Sequence, residues 1–399
     1  MTSTDRNREP AATLIETQQQ IDRLCAHARD EGRFAFDTEF VMEDRYEPEV
    51  CLVQIATAGE VSLIDPFLEL NLQPIWELVA DEKVETVVHA GQEDLALCVQ
   101  HTGKLPRNVF DVQIAAGFVG YEYPLSLQKL VQSTLRVRIH KSKTLTDWRR
   151  RPLNAAQLRY AADDVVHLPA IRKRLGEKLA KRGRTQWAEE EFRRFEDLAL
   201  YGRVEEEKLR RLKGTASMGG RELAIVRALL HWREGLAEQL NRPARVVLKD
   251  HLLVEIARLG LTSREEIRDL RGLNLSDKNL RMLAQVVEEA SSLPPEHWPE
   301  TTPRDAEPPR EEALIGLATA VLRSYCLDHD LAYGLVATKR MIRDLIRERI
   351  AGRPEGAKPL ELLTGWREET VGALLDDILA GKRRIALTKS GRALTIHVE

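Results

Sequence analysis

The sequence predicts an α/β lobe, a mixed β-sheet covered by helices, followed by two small all-helical units. Three observations carry this reading. Strand-like segments crowd into residues 34–66, strand and helix signals then alternate to about residue 112 with helices following to about 183, and residues 220–293 show only helical periodicity. The chain has 399 residues, long enough for about two or three domains at ~150 residues each.

A helix is expected around residues 17–31, followed by the strands FAFDTEF (34–40), VCLVQIAT (50–57) and VSLIDP (61–66), which read as an antiparallel meander. Next come a helix near 72–80, the strand VETVVHA (84–90), the helix QEDLALCVQHTG (92–103), the short strand NVFDV (108–112) and helices to about 183. In the second half Asp250, Ser263 and Ser276 stand where helix N-caps belong. Residues 291–310 hold six prolines and almost no apolar periodicity, which marks an extended linker. Beyond it, HDLAYGLVATKRMIRDLI (329–346) repeats the pattern of residues 241–257: a loop, an apolar pair, a capping residue (Thr338, Asp250) and an amphipathic helix. This reads as a weak internal duplication. The tail RRIALTKSGRALTIHV alternates on both sides of Lys389-Ser390-Gly391, the pattern of a terminal hairpin.

Hydrophobic content of 43% with 31% charged residues describes a globular protein, and the longest apolar runs fall far short of the ~20 residues that span a bilayer. The first twenty residues lack the basic start and apolar stretch of a secretory signal, so a cytoplasmic protein without membrane contact is expected. Cys25, Cys51, Cys98 and Cys326 are widely spaced and form no C-x-x-C pair, which favours reduced buried thiols over disulfides or zinc. The net charge of −3 hides an asymmetry. Residues 1–135 carry 10 Lys and Arg against 23 Asp and Glu, and residues 136–184 carry 15 against 4. An acidic lobe beside a basic segment suits a site that holds divalent cations and grips a polyanion, although solvated helix faces produce such runs as well.

FAFDTEF places two carboxylates within an aromatic strand. Side chains alternate, so Asp37 and Glu39 share one face with Ala35, opposite Phe34, Phe36 and Phe40. Two desolvated like charges cost several kcal/mol or more unless solvent or a cation lies between them. Asp94 falls in the first turn of the helix after VETVVHA, and Tyr160 and Asp164 lie at i, i+4 on one helix face. Oxygen-only ligand sets suit Mg²⁺ or Mn²⁺ rather than zinc, and carboxylates from a strand and two helices can hold a pair of such ions about 4 Å apart. Each feature alone is more often structural: a solvated strand end, a charge favouring a helix N-terminus, a surface pair. Asp163 sits ~100° around the helix from Asp164, so four-residue spacing from Tyr160 favours Asp164 as the ligand. His89 and Asp111 lie near these motifs and read first as structural groups, with direct chemistry as the second reading for each and a water contact to the site for Asp111.

In order and spacing, DTEF with Tyr46-x-Pro48 and LVQIA, HAGQED, FDVQIAA, and KSKTLTDWRRRPL leading into YAADDV resemble the ribonuclease D family of the DEDD superfamily of 3′-to-5′ exonucleases, over residues 34 to 170. The resemblance implies a ribonuclease H-like nuclease domain over 1–205. It also implies that Asp37, Glu39, Asp94 and Asp164 are metal ligands and that Tyr160 orients the attacking water. Asp37, Glu39 and Asp164 would surround the ion that activates water, and Asp37, with Asp94 through solvent, would support the ion at the leaving group. Arg159 stands where a histidine subtype has its base, which makes this the tyrosine subtype. Asp163 departs from the small residue common at that place. Residues 215–293 and, less clearly, 313–399 resemble helicase-and-ribonuclease-D C-terminal (HRDC) domains, joined by the linker 294–312.

The basic segment RVRIHKSKTLTDWRRR (136–151) directly precedes the Tyr160 helix. Lys141, Lys143, Arg149 and Arg150 are therefore candidates to neutralise phosphates, and Trp148 either stacks on a base or packs under the loop. The function expected is two-metal 3′-to-5′ trimming of structured RNA, tRNA precursors foremost, by a monomer that requires no protein partner. The alternatives are a DNA-directed 3′-to-5′ exonuclease and a non-catalytic RNA-binding protein.

Overall fold

The computed structural model describes residues 12–139, 146–201, 208–209, 212–299, 308–353, 356–390 and 393–399. The chain forms two compact units, each discontinuous in sequence. One comprises the segments ending at Glu39, Cys51–Leu200 and Glu307–Glu399; the other comprises Phe40–Val50 and Tyr201–Ala306.

The first unit is built on the strands β1 (Thr13–Ile15), β2 (Arg33–Val41), β3 (Glu49–Thr57), β4 (Glu60–Ile64), β5 (Glu85–Val88) and β6 (Val109–Asp111). They lie in the order β1-β4-β3-β2-β5-β6. β3 and β4 are antiparallel, while β1 on β4, β2 on β5 and β5 on β6 are parallel, so the sheet is mixed as expected. The three-residue β1 was not foreseen. β3 is buried along nearly its whole length, the signature of a central strand covered on both faces.

Helices in this part of the chain are α1 (Gln18–Glu31), α2 (Gln73–Val79), α3 (Gln92–Thr102), α4 (Val112–Gly117), α5 (Leu127–Leu135), α6 (Ala155–Val166), α7 (Leu168–Lys181), α8 (Thr185–Phe192) and the short α9 (Leu198–Tyr201). Their starts have local causes. Thr17 and Gln20 form a capping box for α1, and Asn154 and Gln157 form another for α6, each satisfying N–H groups that the first turn leaves free. Phe34 and Phe36 point into the core from β2, Phe36 edge-on to Trp76 of α2.

The second unit contains α10 (Gly220–Leu240), α11 (Ala244–Val247), α12 (Asp250–Leu259), α13 (Arg264–Arg268) and α14 (Asp277–Ser291) around Val226, Leu229, Leu253, Ile256, Leu283 and Val287. Ser263 and Ser276 cap α13 and α14 as read from the sequence. Asp250 does not cap α12: it is that helix's first residue, Lys249 holds the cap position, and the Asp250 carboxylate takes up Arg233 at 2.6 Å. The Phe40–Val50 segment is held in this unit by Asn241, whose side-chain oxygen accepts the main-chain N–H groups of Tyr46 and Glu47 at 3.1 and 3.3 Å.

The region after the linker contains α15 (Pro309–Asp328), α16 (Tyr333–Val336), α17 (Lys339–Ala351), α18 (Gly365–Arg367), α19 (Ala373–Leu379) and the antiparallel strands β7 (Ile385–Ser390) and β8 (Ala393–Val398). The hairpin appears as expected, with Gly391 outside the described residues. Sequence sets this region apart as a third domain, whereas in the structure it clusters with the sheet-bearing unit. The physical reason is a buried junction. Trp366 is 1% exposed, stacks on Trp187 and meets Phe118 edge-on. Its Nε1 donates to Glu191 of α8 at 2.8 Å, and Arg367 pairs with the same carboxylate. Ala332 N–H donates to the Gly117 carbonyl at the end of α4, and the Arg184 guanidinium donates to the carbonyls of Phe118, His329 and Asp330.

Candidate active site

The site is assembled from β2, α3 and α6. β5 supports β2 only as far as Ala35, so the stretch carrying Asp37 and Glu39 runs past the end of that ladder. Thr38 finds its partner elsewhere. Its N–H donates to Asp94 Oδ1 at 3.0 Å and its hydroxyl donates to the same oxygen, tying the first turn of α3 to the strand. α6 delivers Tyr160 and Asp164 one turn apart, and the Tyr160 hydroxyl donates to the Asp164 carboxylate.

Ligand oxygens of Asp37, Glu39 and Asp164 lie within 4.8 Å of one another. Burial, then the neighbouring charges of Asp94, Asp164 and Glu39, push the Asp37 carboxyl well above its usual range. The same causes, burial followed by Asp164 and Asp94, push Glu39 up to about 8. Asp164 rises to about 7 through burial and the charge of Asp163, with the Tyr160 hydroxyl bond acting in the opposite sense. Asp94 is raised by burial against the lowering effect of its Thr38 bonds. Such shifts mark mutually repelling carboxylates that gain from a cation among them. The donor set is all oxygen, drawn from three elements, and fits a hard divalent ion. The two carboxylates in FAFDTEF are thus tolerated because they face this acidic cluster rather than the core.

A 3′-5′ exonuclease family profile matches residues 12–180, and the HRDC domain profile matches 222–287. A curated ribonuclease D of Granulibacter bethesdensis is 34% identical over 99% of both chains. The chain belongs to the ribonuclease D family. The ribonuclease D of Acidiphilium cryptum is likewise 34% identical, over 97% of each chain. The crystal structure of Escherichia coli RNase D, an exoribonuclease involved in structured RNA processing, aligns with a TM-score of 0.79 at 27% identity, covering 93% of this chain and 99% of that one. The catalytic core of RRP6 from Trypanosoma brucei shares the fold at a TM-score of 0.53. This ribonuclease D family member is accordingly a 3′-to-5′ exoribonuclease of a metal-dependent family, with the expected nuclease lobe and HRDC domain. No helix among the described residues is long and apolar enough to cross a membrane.

The basic segment fares unevenly. Lys141 and Lys143 lie outside the described residues. Arg150 is exposed beside the Tyr160 helix, and Arg149 occupies the turn in which its own N–H donates to Asp147 at 3.1 Å. Trp148 has no free face for a base: it is 8% exposed and packs at 6.0 Å against the ring of Tyr160, so the packing reading replaces the stacking one. Arg151, which sequence reasoning did not single out, grips Asp65 with two nitrogens, at 2.5 and 2.7 Å, and the Cys51 carbonyl at 2.7 Å. It anchors the turn before α6 to β3. Thr38 was also missed, although its place inside DTEF was the available signal.

Proposed function

We propose that this exoribonuclease trims the 3′ ends of structured RNA, tRNA precursors foremost, releasing 5′-mononucleotides with the help of two Mg²⁺ or Mn²⁺ ions. The observation that carries the reading is the convergence of Asp37, Glu39 and Asp164 within 4.8 Å, with the Tyr160 hydroxyl on Asp164. Asp37, Glu39 and Asp164 would hold one ion, and Asp37 with Asp94 the other. Bound there, the ions supply an activated water and charge neutralisation at the leaving oxygen.

The protein's own groups do the rest. Burial and the charges of Asp164, Glu39 and Asp37 raise the Tyr160 hydroxyl above its ordinary range, so it stays protonated; with its one proton given to Asp164, its oxygen would orient the water as a hydrogen-bond acceptor and not as a base. Trp148 fixes the plane of that ring. Thr38 holds the Asp94 carboxylate against β2 and limits its rotation. Arg149 and Arg150, with Lys141 and Lys143 of the same basic segment, would neutralise the incoming backbone. The region 313–399 acts in this reading as a second HRDC-like module. A cytoplasmic monomer with no required protein partner completes the proposal; the four cysteines are all buried and in no disulfide, which suits a reducing compartment.

The test is release of mononucleotides from 3′-labelled structured RNA with Mg²⁺ or Mn²⁺, against chelator, alongside a DNA strand of matched sequence. Metal-dependent release from RNA in preference to DNA is expected, since a contact to the 2′-hydroxyl favours RNA. Equal rates on DNA would point to a DNA-directed exonuclease. Binding without release would leave the non-catalytic reading.

A further inference from the structure

Asp94 reaches the site only because the chain turns sharply between β5 and α3, and the turn is strained. Ala90 has φ 56°, a conformation that costs a residue with a Cβ. A Cβ on Gly91 would lie 2.6 Å from the Cβ of Val88, so the turn also requires glycine there. Gly91 is the N-cap residue of α3 and supplies no side-chain cap of its own. Its carbonyl accepts the first helical bond, from Leu95 at 2.9 Å.

The Gly91 N–H is taken up by Asp111. This side chain is 1% exposed and ends β6, where it lies opposite Val88 in the ladder. Its two oxygens divide the work. Oδ1 accepts the N–H groups of Gln113 and Ile114 at 2.7 and 3.3 Å and caps α4, while Oδ2 accepts Gly91 N–H at 3.2 Å. One carboxylate therefore sets the starting points of two helices. The turn is tethered a second time by His89, whose Nε2 meets the Leu125 carbonyl at 2.9 Å; the Gln113 amide donates to that carbonyl at 3.0 Å.

We infer that Asp111 is a positioning residue for the reaction: by holding Gly91 it fixes where α3 begins, and so where the Asp94 carboxylate stands when the site is loaded with metal. This rests on the reading of Asp94 as a metal-site acid. The strain at Ala90 gives the turn a reason to relax once the Gly91 bond is lost, and three residues later that relaxation arrives at Asp94. Groups that orient ligands in this way typically account for roughly 10- to 100-fold in metal affinity or activity.

Two variants separate positioning from simple support of the fold. Asp111→Asn keeps an oxygen for the α4 cap but presents an amide N–H₂ to the Gly91 N–H. Asp111→Ser keeps a hydroxyl cap for α4 and is too short to reach Gly91. Mn²⁺ binding to the full-length metal-free protein is measured by titration calorimetry, and kcat and KM are measured on a short single-stranded RNA. In either variant Mn²⁺ affinity and kcat are expected to fall about 10-fold with KM little changed. In an Asp94→Asn background the same substitutions should change Mn²⁺ affinity by less than about 2-fold, because the group they act through is already gone. Parental Mn²⁺ affinity in both variants, or the same loss with and without Asp94, overturns the inference while leaving the metal site standing. If Asp94→Asn alone retains full Mn²⁺ affinity and turnover, the reading of Asp94 fails and the role of Asp111 fails with it.

Discussion

Replacing Glu191 by glutamine would leave the Arg367 guanidinium charged where water scarcely reaches it. The two side chains are 5% and 10% exposed, and Arg367 pairs with Glu191 at 2.5 Å. Removing one partner of a buried pair costs about 3–5 kcal/mol, since the other charge is left uncompensated. The surroundings of this pair place the loss at the lower end. Arg367 keeps the carbonyls of Val336 and Leu335 at 3.1 and 3.0 Å, and a glutamine oxygen can still accept from Trp366. Arg194, half exposed and 3.1 Å from the carboxylate, adds ~0–1 kcal/mol as a surface pair. About 3 kcal/mol is therefore expected, roughly a 10²-fold shift in the folding equilibrium and, at ~2 °C per kcal/mol for a unit of this size, about 6 °C in Tm. Burial alone would raise the Glu191 carboxyl, but Arg367 and the hydrogen bonds outweigh it and hold the group below its usual range. Its stabilisation is therefore present above the unfolded pKa of ~4.3 and is lost as the pH falls through the lower folded value. Urea unfolding followed by tryptophan fluorescence, with Trp187 and Trp366 in the junction as reporters, should show a wide gap between parent and variant at pH 7 that narrows below pH ~4. A variant within ~0.5 kcal/mol of the parent at pH 7, or a gap unchanged by acid, would refute the reasoning.

Tyr160→Phe should lower the single-turnover rate on the order of 10²-fold while RNA binding survives, because only the hydroxyl proposed to orient the water is lost. Asp164→Asn should be the most damaging change on α6 and Asp163→Asn should stay within a few-fold of the parent; equal damage at saturating Mg²⁺ and Mn²⁺ would overturn the assignment. Asp94→Asn should abolish turnover, yet leave the thermal stability of the metal-free protein unchanged or slightly raised, as differential scanning would show. The Glu39 carboxyl is pushed up to about 8 and that of Asp164 to about 7, each above its unfolded value, so the folded state holds protons that the unfolded chain has released. Stability of the metal-free protein should fall as pH rises from ~4 to ~8, and saturating Mg²⁺ should flatten that slope.

Much of the site was legible because its chemistry is local in sequence. A strand that alternates Phe34 and Phe36 with Asp37 and Glu39 needs a reason for its acids, and Tyr160 and Asp164 announce a shared helix face by their spacing. The α/β alternation likewise follows from hydrophobic period alone. Other features depend on partners far along the chain. Arg367 carries no local signal of its role, because Glu191, which neutralises it, lies 176 residues away. β1 is three residues long and shows no period, so only its ladder with β4 reveals it. Trp148 reads two ways and Asp250 reads wrongly as a cap for one reason: an aromatic before a helix can stack or pack, and an acid near a helix start can cap or pair, and tertiary neighbours decide between them.

The sheet-bearing unit is interrupted in the sequence by more than a hundred residues and closes only with the last part of the chain. On the ribosome this imposes a wait. Phe118 and Trp187 emerge early, while Trp366, which covers them, follows about 180 residues after Trp187. At ~5–20 residues per second, that aromatic face stays open for roughly 10–35 s of synthesis. During this interval the nascent chain has a ready surface for chaperones and for other nascent copies, and products that terminate in the linker keep it permanently. Expression yield should therefore depend more on completing the final quarter of the chain than on the nuclease residues that precede it.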